Sequence, residues 1–207
     1  MFIVHNTKVD SWIKDYNRRI TLKEGNSDFP AFMRRIITAL ILNQNDEAYK
    51  GIEEVVAYIE KNSYLERYEK WLTKYQLNTV SFDKIVAVLI NSEIRTLDGN
   101  DLTGYAVQYG NGYYVLVNDT EELEVTISIL THEIMHVELE PLLREIEQQR
   151  GMEISEAAKE ELVILLEHIF LLDELQIKAW DLQIEKVRSF QELLRFGIEK
   201  AIVHWAL

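Results

Sequence analysis

Apolar residues recur every three or four positions over most of this chain, and a compact β-branched run interrupts them near the middle. Residues 1–78 read as helical. Pro30 opens the stretch Ala31 to Leu42, and proline suits a first helical turn, where its missing N–H leaves no bond unmade. Ile52 to Ile59 and Tyr64 to Tyr75 keep the helical spacing. Tyr64, Tyr68, Trp71 and Tyr75 form an aromatic stripe, expected to pack in a core rather than to line a partner groove.

The pattern changes over residues 82–118. Ile85 to Ile90 (Ile-Val-Ala-Val-Leu-Ile) predicts a buried strand. Asp98 to Asp101 predicts a turn. Gly110-Asn111-Gly112 between two apolar-rich runs predicts an antiparallel hairpin, with strands over 104–109 and 113–118. A helix follows. Asp119 and Glu122 form a capping arrangement, and Leu123, Ile127, Leu130, Ile134 and Val137 mark its buried face. Pro141 is a candidate bend, and Gly151 ends the helical region. Ser155 is placed to cap a second long helix, Glu156 to Ile184. A last amphipathic helix is expected from Phe190 to Trp205.

The expected fold is therefore α+β and mostly helical: a small antiparallel sheet, two long helices after it and an N-terminal helical region. The expected division is 1–78 and 79–207, packed as one compact unit. A length of 207 residues and 47% hydrophobic content suit one domain with a sizeable core. The net charge of −13 argues against broad binding of nucleic acid or an anionic membrane. The chain has no cysteine, which excludes disulfides, thiolate ligands and a cysteine nucleophile. Its first residues lack the basic-then-apolar order of a signal peptide. The densest apolar stretch, Leu162 to Leu172, carries Glu167 and His168 and is too short and polar to span a membrane. A cytoplasmic protein is the simplest expectation.

The chemistry concentrates in His132-Glu133-Ile134-Met135-His136, an H-E-x-x-H motif. Histidines four apart share a helix face, so both imidazoles reach one metal ion. The glutamate between them is placed to accept a proton from a water at the metal. With 5 His in the chain, a chance match is expected in roughly one such sequence in a hundred. Catalytic zinc takes three protein ligands. The downstream candidates are Glu160, Glu161, Glu167, His168 and Glu174. If the two long helices fold as a hairpin about Gly151, His136 and Glu167 lie at similar heights, at about 1.5 Å per residue. Glu167 also interrupts a strongly apolar run, where a carboxylate is costly unless paired or bound to metal. Glu167 is the expected third ligand, with His168 as substitute or supporting partner and the other three left open.

With these residues in place, the stretch from about 82 to 180 resembles the zincin metallopeptidases, in particular short gluzincin-like ones. The likeness rests on His132 to His136, the preceding strand ending Tyr113-Tyr-Val-Leu-Val117, and a downstream glutamate on a second helix. It implies zinc as the metal and an extended peptide substrate added along an edge strand, 104–109 or 113–118. Two family signatures are missing. No glycine and third histidine follow His136, and no Asn-Glu-x-x-Ser-Asp sequence follows the motif. On this reading zinc polarises the scissile carbonyl, while Glu133 takes the water proton and passes it to the leaving amine. Tyr105, Tyr113, Tyr114 and His168 are candidate oxyanion donors. The competing expectation is an interaction module of the same fold, with or without metal, acting through its helical surface.

Overall fold

The computed structural model describes residues 1–22, 29–42, 50–77, 82–95, 101–120, 122–177 and 184–206. Six strands and eight α-helices appear among them, giving a mostly helical α+β fold. Contacts gather into two units. One holds Met1–Ala57 and Ser81–Glu133, the other Tyr58–Val80 and Ile134–Leu207. This grouping differs from a division at residue 78, because N-terminal residues pair with the central strands.

The first unit contains the main sheet, ordered β1-β2-β6-β5. Strand β2 is Ile85–Ile90, as its β-branched run predicts. The predicted hairpin is β5 (Gly104–Tyr109) and β6 (Gly112–Asn118), antiparallel with Tyr109 opposite Gly112. Gly110 turns it with φ of 61°, a left-handed conformation that favours glycine. The sheet is mixed, because β6 also pairs in parallel with β2, and β2 with β1 (Phe2–His5). Strand β1 falls inside the region expected to be helical. Its partner lies more than eighty residues away, with Ile3 beside Ala87, so local periodicity carries no trace of the pairing. Two short strands, β3 (Ile94–Arg95) and β4 (Asp101–Leu102), form a separate antiparallel pair.

Helices α1 (Thr7–Leu22) and α2 (Phe29–Leu42) cover one face of the sheet. Val9, Ile13 and Tyr16 of α1 and Met33, Ile36 and Leu40 of α2 pack there against Val88, Ile90 and Leu116. A buried polar network ties the strands to α1. His5 Nδ1 lies 3.0 Å from the Leu89 carbonyl and its Nε2 lies 3.3 Å from Asp10. Asp10 accepts bonds from the Asn91 backbone N–H at 2.8 Å and from its side-chain amide at 2.9 Å. A buried carboxylate is tolerated when its lone pairs are filled in this way. Helix α3 (Lys50–Lys61) precedes α4 (Tyr64–Lys74).

The second unit is helical. The α4 stripe is core, as expected: Tyr64, Tyr68 and Trp71 are fully buried. All three rings meet Phe170 edge-on, at 5.6, 4.9 and 5.7 Å. Helix α5 (Leu123–Arg150) runs unbroken through Pro141 and spans both units in sequence. Its start differs from the expected cap. Thr120 and Thr126 organise it through a bond from the Thr120 N–H to Thr126 Oγ1 at 3.0 Å, while Asp119 gives its N–H to Ile90. Helix α6 (Glu156–Phe170) is capped by Ser155, whose Oγ accepts the Ala158 N–H at 3.2 Å. It passes into a π-helical turn, Leu171–Leu175, before the stretch expected to continue it. The single last helix expected from Phe190 to Trp205 is two, α7 (Ile184–Leu194) and α8 (Ile198–Ala206). Gly197, with φ of 104°, separates them in a conformation that no helix continues through. No helix among the described residues is long and apolar enough to cross a membrane.

Candidate metal centre

Helix α5 places His132 and His136 one turn apart on a half-exposed face. Its registry alone brings the two rings together. The nearest helix partner is Glu160, in the first turns of α6. Its Oε2 lies 3.2 Å from His136 Nε2, with the two side chains 50% and 33% exposed. One ligand-type atom from each of His132, His136 and Glu160 lies within 4.8 Å of the others. Among the described residues this is the one such group of three or more His, Cys, Asp or Glu.

The donor set fits a small divalent ion. Zinc bonds to nitrogen and oxygen of about 2.0–2.2 Å in a tetrahedron put neighbouring donors about 3.3–3.6 Å apart. The His136–Glu160 separation of 3.2 Å matches one such edge. Two imidazoles and a carboxylate are also the mix that suits zinc and its first-row neighbours. The side chains of the group are open to solvent in part.

The carboxylate brought to the two histidines is Glu160, and not the expected Glu167. The reason lies in the connection after α5. Residues 151–155 are not helical, and this short segment folds back along α5: the Ile154 N–H binds Glu147 Oε1 at 2.9 Å, and Met152 N–H binds the Glu147 carbonyl at 3.2 Å. Extended backbone advances about 3.3 Å per residue, against about 1.5 Å in a helix. After the Gly151 turn, with φ of 63°, four residues at the extended rise return roughly 13 Å, as far as eight or nine helical ones. Helix α6 therefore starts well back toward His136, and its first turns reach the height that symmetric counting assigns to Glu167.

Glu167 is buried instead, at 4% exposed, on the same helix. It lies near Tyr68 together with Glu138, another buried carboxylate at 1%. Burial pushes the Tyr68 hydroxyl well above the usual tyrosine range, and Tyr64, Glu138 and Glu167 add to the shift. The remaining alternatives are placed elsewhere. Glu161 pairs with Lys186 at 2.6 Å and His168 Nδ1 binds the Ile164 carbonyl, while Glu174 lies in the π-helical turn after α6, outside the group around His132 and His136. Glu138 was missed in the sequence. Its neighbours in Val-Glu-Leu-Glu look like an ordinary alternating surface, and nothing local marks it as buried.

Glu133 is buried at 7% exposed, on α5 and within the first unit beside β5. Tyr105, one of the candidate oxyanion donors, has its hydroxyl pushed up first by burial and then by the Glu133 carboxylate. Its ring packs edge-on against Phe29 at 5.0 Å. Tyr105 and Tyr114 both join the core under α1 and α2, the face of the sheet opposite Gly104 by strand alternation. Tyr113 alternates onto the same face as Gly104. Compared with known protein families, curated proteins and solved structures, the chain matches none.

Proposed function

We propose that this chain is a metal-dependent peptidase, with zinc held by His132, His136 and Glu160 and with Glu133 as proton acceptor. The observation that carries this reading is the gathering of three ligand-type atoms within 4.8 Å around the H-E-x-x-H helix. Zinc bound there would polarise a carbonyl and make a water acidic near neutral pH. The chain itself supplies the rest. Glu133 sits one residue from a ligand, is shielded from bulk water, and is positioned to take a proton and return it to a leaving amine.

The edge strand supports a polypeptide substrate. Of the two strands expected to bind it, β5 is the edge strand among the described residues, since β6 is paired on both sides. The Asn118 N–H donates to the Thr103 carbonyl at 2.8 Å. Alternation then turns the backbone N–H and C=O of Gly104, Ala106 and Gln108 outward, away from β6. No charged residue occurs from 103 to 118, so this edge lacks the charges that usually block strand addition. An extended peptide would pair there through its backbone.

The test is Glu133→Gln, assayed on a fluorescently labelled unfolded protein together with metal analysis. Metal content is expected to stay the same while cleavage falls by about 10²–10⁴-fold. Cleavage at wild-type rates by the variant would overturn the assignment of Glu133, and a preparation that takes up no zinc would overturn the whole reading.

A further inference from the structure

We infer that Gly104 is the positioning residue for Glu133: the side chain missing from β5 at this point is the space that the Glu133 carboxylate occupies. This rests on the reading of Glu133 as proton acceptor. Gly104 is buried at the first position of β5, opposite Val117. Its backbone does not call for glycine, because the positive-φ glycines are Gly110, Gly151 and Gly197. Space does. A Cβ built at this position would lie 2.4 Å from Glu133 Oε1, 2.6 Å from its Cγ and 2.8 Å from its Cδ. These are its three nearest neighbours, and all belong to one side chain.

The kind of clash matters as much as its size. Where a missing Cβ is filled by neighbouring backbone, a methyl group forces strands or helices apart. Here it meets the outer half of a flexible side chain. A methyl at 104 is therefore accommodated by rotating Glu133, with the strand and helix left in place. The carboxylate leaves its position in doing so, since it is 7% exposed and closely surrounded. A proton acceptor has to lie within hydrogen-bond reach of its water. A displacement of about 1 Å costs on the order of 10²-fold in rate. Gly104 thus separates two properties that a buried residue usually links, because it controls where the base points while contributing little to the fold.

Cobalt(II) serves as the probe, added to the full chain in wild-type, Gly104→Ala and Glu133→Gln forms. Gly104→Ala is expected to bind cobalt with an affinity changed by less than the tenfold that a lost outer partner costs. Its visible cobalt spectrum at fixed pH is expected to depart from wild type in the same direction as that of Glu133→Gln. A Gly104→Ala spectrum that superimposes on wild type would overturn the inference and leave the metal reading standing. Cobalt-free wild-type protein would overturn both. A thermal-melting cycle covers the case in which Gly104→Ala destabilises the fold. In a Glu133→Ala background the space is vacated, so the added methyl should no longer lower the melting temperature. An equal loss in both backgrounds means that Gly104 does not share space with Glu133, and the inference fails.

Discussion

Glu133 and Glu167 lie in different units and are buried almost equally, at 7% and 4% exposed. Their surroundings divide them. Glu133 stands beside a ligand-type histidine and against the glycine that opens an edge strand. Glu167 stands in a helical core near Tyr68, where Glu138 also lies. The carboxylate that joins the two histidines is neither of these but Glu160, whose side chain is half exposed. Burial in an apolar run therefore marks a carboxylate placed in a core, and it does not by itself mark a metal ligand. A ligand has a different requirement. It needs other donors at the right height, and Glu160, early in its helix, has His136 Nε2 3.2 Å from its carboxylate.

The comparison breaks most sharply on Glu160 and Glu167 as a pair. Glu160→Ala is expected to weaken zinc binding at least about 100-fold, more than the 10–100-fold typical of an outer partner. Its melting temperature in metal-free buffer should hardly move, because exposed substitutions stay within about 0.5 kcal/mol. Competition with a chromophoric chelator measures the first and calorimetry the second. Unchanged zinc affinity in Glu160→Ala would end its role as ligand.

Glu167→Ala should show the reverse pattern. Removing this buried side chain is expected to cost about 1–3 kcal/mol, read from urea midpoints, while zinc stoichiometry stays at the wild-type value. Loss of zinc from this variant, with the fold intact, would return Glu167 to the ligand set.

The smallest effect concerns pH. Tyr68 has its hydroxyl pKa raised in the folded state, so the native protein keeps this proton when the unfolded chain has begun to lose it. Stability from this source is complete below about pH 10, the ordinary tyrosine value, and declines as pH rises past it. Tyr68→Phe should flatten that decline between pH 9 and 11 in urea titrations. An alkaline limb identical to wild type would show that the buried cluster does not set it.

Much of the fold was legible because it depends on neighbours in sequence. The β-branched run Ile85–Ile90, the Gly110-Asn111-Gly112 turn, the Ser155 cap and the α4 stripe are all local signals, and each appears where its residues predict. The break between α7 and α8 also had a local signal in Gly197 that the amphipathic pattern on either side concealed. Strand β1 had none. Four residues have no periodicity to distinguish them, and Phe2–His5 is a strand through its bonds to Val86–Leu89.

The candidate metal centre divides along the same line. By itself the sequence determined that His132 and His136 share a face with Glu133 between them, because helix geometry relates residues three and four apart whatever surrounds them. Only the tertiary structure decided which carboxylate joins the two histidines and where the Glu133 side chain has space. Glu160 reaches His136 because a short non-helical segment folds back along α5, and Glu133 has its place because β5 presents a glycine to it. Both depend on how distant segments pack, a property that no pattern within either segment encodes.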